Sequence, residues 1–130
     1  MVDQNHAHLR YLMAIYSIAQ KNRDIPSVEV ARVLGVSKPA VARMLKQLME
    51  KGLIVKKPYG CIYLTDKGIF LARNYQAQLD LVRDHFPDTG LDLTPEEVER
   101  VVDAAVAALP QERFFKKYEA LFEEESNQDA

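Results

Sequence analysis

Two short helices that must meet at a fixed, tight angle constrain this chain more than anything else in it. Residues 27–34 carry Val30, Ala31 and Leu34 at helical spacing, and Gly35 stops them. Only Gly35 and Val36 then precede Ser37, a second helix cap, with Pro39 in the first turn where its missing N–H is harmless. Ser27 is placed to cap the earlier helix, with Glu29 in its first turn. The second helix has a buried stripe of Val41, Leu45 and Leu48, flanked by Met44. Lys38, Ala40, Arg43, Lys46 and Gln47 lie off that stripe.

The flanking segments complete the pattern. Residues 7–20 are apolar over a band wide enough to bury two faces, one expected in its own domain and the other against a second domain or subunit. Residues 21–26 read as a turn ending in proline. After Gly52, the residues Leu53, Val55, Ile62 and Leu64 alternate with polar neighbours around Pro58-Tyr59-Gly60. That spacing predicts two short strands and a tight turn with Lys56, Lys57 and Tyr59 at its tip. Thr65 caps a long helix over 66–86, which at about 1.5 Å per residue is roughly 30 Å long. Its apolar positions include Ile69, Ala72, Tyr75, Leu79, Val82 and Phe86. Thr94-Pro95-Glu96-Glu97 starts a further helix with Val98, Val101, Val102, Ala105 and Leu109 on one face. Pro110 breaks it, and Phe114, Tyr118, Leu121 and Phe122 continue helically to about Glu125, before a frayed tail.

The fold class read from this order is mostly α with a small two-stranded β wing: a winged helix-turn-helix domain over 1–72 and a helical dimerisation domain over 73–130, sharing the long helix. Charge divides the same way. Residues 1–75 hold 12 Lys and Arg against 5 Asp and Glu, a net of +7, while residues 76–130 hold 5 against 14, a net of −9. A basic half suits a polyanion, and double-stranded DNA fits the motif. The candidate DNA-binding residues are Ser27, Ser37, Lys38, Pro39, Ala40, Arg43, Lys46, Lys56, Lys57 and Tyr59, with Arg43 the natural reader of guanine. Tyr75, Leu79, Val82 and Phe86, projecting past a small domain, are the candidate dimer face, which suits a palindromic operator. A single Cys61 excludes an intrachain disulfide, and no apolar run reaches the ~18–20 residues of a membrane span. The first ten residues lack the features of a signal peptide, so a cytoplasmic protein is expected. No arrangement of nucleophile and base points to an enzyme.

The stretches YLMAIYSIAQ, VARVLGVSKPAVARMLKQLMEKGLI and YLTDKGIFLA resemble the diphtheria toxin repressor and manganese transport regulator family of metal-responsive repressors. The resemblance implies a homodimeric repressor with Mn²⁺ or Fe²⁺ held between the first helix, the long helix and the one after it. It also implies which positions should be ligands. The first-helix Asp and Glu correspond to Arg10 and Met13, and the long-helix His to Leu79. The following Glu-x-x-Glu-His run corresponds to Asp103 through Ala107, so that Val106 and Ala107 replace two ligands and Asp103 alone keeps a ligand-capable side chain. The expectation is therefore a regulator without metal gating at the family site, and no cofactor is assigned. An Arg10–Asp103 ion pair is a candidate substitute for the metal. Two other readings stand beside it. One is a winged-helix protein-interaction module without an operator. The other is a metal sensor whose site has moved to His6 and His8 with Asp80 or Asp84.

Overall fold

A computed structural model describes the backbone over residues 4–128 and the side chains over 7–58 and 60–121. The order is α1 (Gln4–Ala19), β1 (Ile25–Pro26), α2 (Ser27–Leu34), α3 (Lys38–Glu50), β2 (Ile54–Lys56), a 3₁₀ turn (Pro58–Gly60), β3 (Cys61–Leu64), α4 (Asp66–Asp84), α5 (Pro95–Ala107) and α6 (Gln111–Gln128). This is the expected winged helix-turn-helix followed by helices. The sheet has three antiparallel strands rather than two, in the order β1-β3-β2, with Ile25 opposite Ile62 and Lys56 opposite Ile62 on the other side.

The wide apolar band of α1 is explained within the one chain. Leu9, Leu12, Ile15 and Ile18 are buried, and the helix packs against α2 and α3 on one side and α4 and α5 on the other. A continuous core joins these residues to Val41, Leu45 and Leu48 of α3, to Leu71, Tyr75 and Leu79 of α4, and to Val102, Val106 and Phe114.

Local chemistry sets most of the boundaries. The Ser37 hydroxyl accepts from the Ala40 N–H at 3.2 Å, and Thr94 with Glu97 forms a reciprocal capping box. Gly35 closes α2 in the left-handed conformation at φ 65°, which lets Val36 N–H reach the Ala31 carbonyl and turns the chain straight into α3. Thr65 ties three elements together. Its hydroxyl donates to the Gly52 carbonyl at 2.6 Å and accepts from the Gly68 N–H at 3.0 Å, while its own N–H donates to Leu53 O.

Five further expectations change. Ser27 does not cap α2: Pro26 holds the N-cap position without a side-chain bond, because residues 25–26 are drawn into the sheet. Val55 faces outward at the centre of β2 while Leu53 and Ile54 are both buried, since Leu53 still belongs to the bend leaving α3. On α5 the buried residues are Val102, Val106 and Ala107, so Val101 and Ala105 lie on the outer face. The final helix continues through Gln128 instead of fraying after Glu125. Finally, Tyr75 and Leu79 do not project from the domain. α6 folds back along α4, setting Phe114 against Tyr75 at 4.7 Å between ring centres and Tyr118 against Phe70 at 5.4 Å. Val82 and Phe86 are half-buried against the same core.

Candidate nucleic-acid interface

The recognition surface begins with α3. Val41, Leu45 and Leu48 anchor one side of it in the core, which leaves Lys38, Pro39, Ala42, Arg43 and Lys46 exposed on the other. Helical spacing aligns Lys38, Ala42 and Lys46 as one row, with Arg43 beside it. Ser37 is exposed at the start, where its side chain is committed to the cap, and Ala40 is half-buried.

The wing stands beside this row. Lys57 N–H donates to the Cys61 carbonyl at 2.8 Å and Gly60 N–H to Lys57 O at 3.2 Å, closing the tip. Lys56 and Lys57 are exposed there, and the Tyr59 side chain lies outside the described residues. A groove of about 200 Å³ runs between the start of α2, the start of α3 and the end of β2, lined by Ser27, Val28, Lys38, Ala42 and Lys56 among others. It brings together members of all three candidate segments. Val28 and Ala42 were not among the residues singled out from the sequence. The four-residue step from Lys38 through Ala42 to Lys46 is the signal that identifies Ala42, whereas Val28 enters only through the fold.

Neighbouring charges are mostly spoken for. Arg32 is paired with Glu29 on α2, its Nε donating to Oε2 at 3.0 Å, and this hydrogen bond holds the Glu29 carboxyl below its ordinary range. At the far end of α3, Lys51 Nζ donates to His8 Nδ1 at 2.6 Å and His8 Nε2 donates to Gln47 Oε1 at 2.8 Å. Burial lowers the Lys51 pKa. This relay fastens α1 to the recognition helix and was not legible in the sequence, because its members lie 39 and 43 residues apart.

The positions at which the resemblance would place metal ligands do not fit Mn²⁺ or Fe²⁺. Leu79, Val106 and Ala107 are 7%, 0% and 4% exposed and are packed as core, and Met13 is partly buried against the same core cluster. A hard divalent cation requires several oxygen donors, and these side chains offer none. Arg10 is exposed on α1, and Asp103 is half-buried on α5. No group of three or more His, Cys, Asp or Glu capable of holding a metal occurs among the described residues. Of the residues named for a relocated site, the His6 side chain lies outside the described residues, and both ring nitrogens of His8 are engaged as above. Asp80 accepts from Gln76 at 3.0 Å and from Arg83 at 2.8 Å. Arg83 also holds Glu99 of α5, Nη2 to Oε2 at 3.0 Å, which depresses the Glu99 pKa.

Comparison with known proteins agrees with this geometry. Residues 9–55 match the family model of winged helix-turn-helix DNA-binding domains. The transcriptional regulator MntR of Escherichia coli O6:H1 is 34% identical over 74 residues, covering 57% of this chain and 48% of that one. Among solved structures, the metal-dependent transcriptional regulator MtsR superposes with a TM-score of 0.68 at 26% identity, covering 88% of this chain and 53% of its own. The manganese regulator SloR gives 0.64 at 25% identity, covering 92% and 55%. The chain thus spans about half the length of each of these relatives. These relatives are transcriptional regulators, not enzymes. Residues 9–55 thus match a winged helix-turn-helix DNA-binding domain, and the chain is similar, at modest identity, to the regulator MntR, the metal-dependent regulator MtsR and the manganese regulator SloR.

Proposed function

We propose that this chain is a cytoplasmic, homodimeric transcriptional repressor that reads a palindromic DNA operator and is not gated by Mn²⁺ or Fe²⁺ at the site of its relatives. The observation that carries the reading is the groove in which the beginnings of α2 and α3 meet the wing, with Lys38 and Lys56 in its lining and Arg43, Lys46 and Lys57 exposed on the same elements. A row of cations on a helix with short side chains at its start suits entry into a major groove. The flanking wing lysines suit the adjacent phosphates.

Residues 1–72 do the reading and residues 73–130 the pairing. With Tyr75 and Leu79 covered inside the chain, the pairing face moves to the outside of α5. Val101, Ala104, Ala105 and Ala108 are all exposed there at steps of three and four residues. The resemblance implies a metal that ties the first helix to the helices after the wing. Here the apolar side chains of Met13, Leu79, Val106 and Ala107, which lie in or against one core, make that tie by packing.

Selection of bound duplexes from random DNA, repeated at low and high salt and with and without Mn²⁺, tests the proposal. A recovered palindrome whose affinity falls steeply with salt and ignores the metal is the expected result. Recovery of no sequence above background, with no salt dependence, would identify a protein-interaction module instead.

A further inference from the structure

We propose that a hollow behind the wing binds a small planar carboxylate of the size of benzoate. The hollow lies between the end of α1, the β1–β3 edge of the sheet and the first turns of α4, and its volume is about 250 Å³. That is near the lower bound of ligand pockets, ~300 Å³, so it suits a single-ring compound and not a nucleotide.

Its lining supplies both halves of such a ligand's needs. Ile25, Leu64 and Ile69 provide apolar wall, Arg23 reaches it from the loop after α1, and Arg73 from α4. Neither arginine is in an ion pair among the described residues. Arg73 Nε has only a long contact of 3.5 Å to the Tyr16 hydroxyl. Asp24, which follows Arg23, is engaged by the Tyr63 hydroxyl, which donates to it at 2.6 Å, and no acidic side chain lines the hollow. Two guanidinium groups over an apolar floor favour a carboxylate, because the planar fork matches two oxygens at once. The Tyr16 hydroxyl and the Gln20 amide add neutral donors to the rim.

The hollow is separate from the recognition surface. The two linings share no residue: the groove beside α3 is walled by Ser27, Val28, Lys38, Ala42 and Lys56, the hollow by the end of α1, by Ile25, Tyr63 and Leu64, and by α4. The inference therefore does not depend on the DNA-binding reading. If both hold, a ligand seated there bridges the wing strand to α4 and so touches the element that positions the wing.

Backbone amide NMR titration with benzoate, and with benzamide as its neutral counterpart, tests the proposal on the whole chain. Benzoate is expected to saturate shifts at Arg23, Ile25, Tyr63, Ile69 and Arg73 with a dissociation constant of roughly 1 mM or tighter. Benzamide should bind at least about tenfold more weakly. Arg23→Gln and Arg73→Gln should each weaken benzoate by about tenfold while leaving the remaining spectrum intact, since both side chains are exposed. Equal affinity for the acid and the amide would overturn the assignment. So would indifference to both substitutions, shifts confined to α3 and the wing tip, or no saturation.

Discussion

Arg43 and Lys57 are both exposed cations of the basic half, yet they should behave differently when removed. Arg43 projects from α3 among short side chains, where a guanidinium can reach a base edge. Arg43→Ala is expected to cost about 1–3 kcal/mol on the selected operator and to relax its sequence preference. Lys57 stands at the wing tip, so Lys57→Ala should weaken all duplexes alike and flatten the salt dependence by about one unit. Affinity titrations on specific and random duplexes at several salt concentrations separate the two. Tyr75 illustrates a different residue-level effect. It is buried against Phe114, its hydroxyl donates to Gln111, and burial pushes its pKa from 10.0 up to about 12. The fold prefers the protonated phenol, so its contribution is fully present below pH 10 and is lost as pH rises through about 12. Alkaline melts should show Tm falling across that window, and Tyr75→Phe should flatten the fall. The burial of Tyr75 was legible in its helical spacing. What buries it was not, because periodicity identifies an apolar face without naming its partner.

At the scale of elements, the readable parts are those decided within four residues. The Ser37, Thr65 and Thr94 caps, the Gly35 stop and Pro39 in the first turn depend on neighbours alone, and all stand in the structure. Strand β1 illustrates the opposite case. Two residues ending in proline carry no strand pattern, and their pairing partners lie more than 30 residues onward in β3. The same pairing took the N-cap position from Ser27. The alternation of β2 failed for a similar reason, since Leu53 is held by the Leu48 carbonyl at 3.0 Å before the strand begins. Gly68 is where the elements converge most closely. A Cβ there would sit 2.0 Å from the Leu53 carbonyl oxygen, a backbone atom that Thr65 N–H also engages. The first turn of α4 can approach the wing base only because position 68 has no side chain. Gly68→Ala should therefore destabilise the protein despite the better helix propensity of alanine, which is worth about 1 kcal/mol in the other direction. A net loss of about 1–3 kcal/mol by denaturant titration is expected, with DNA affinity falling as well because the wing is displaced. A variant as stable as the parent would show that α4 is not seated against Leu53 at the base of the wing as described.

The whole molecule raises two questions that a single chain answers only by what it covers and what it leaves open. The first concerns metal. A ligand that binds the folded form must raise its stability by mass action, about 2.7 kcal/mol at a hundredfold excess over the dissociation constant. With Leu79, Val106 and Ala107 packed as core, micromolar Mn²⁺ or Fe²⁺ is expected to leave Tm unchanged, and a reproducible rise would locate a site elsewhere. The second concerns pairing. α4, α5 and α6 cover one another's apolar faces, yet Val101 stays 48% exposed on α5, and Leu91 in the preceding loop is 73% exposed. Along the outer face of α5, Val101, Ala104, Ala105 and Ala108 form a row of short apolar side chains. Two such rows related by a two-fold axis approach closely without clashing, and the contact closes on itself. A stable dimer buries about 1,000 Å² or more, so α5 must recruit neighbours such as Leu91 to complete the face. Val101→Glu places a charge on the largest apolar side chain of the row and leaves the core residues Val102 and Val106 untouched. Sedimentation should show the parent as a dimer and the variant as a monomer with an unchanged melting profile. The monomer should keep its affinity for a single half-site and lose the gain from engaging two at once, which is commonly a factor of about 10² or more. If Val101→Glu remains dimeric, another surface pairs the chains. If the parent itself sediments as a monomer at tens of micromolar, as an order-of-magnitude bound for a specific complex, the dimeric reading of the molecule fails with it.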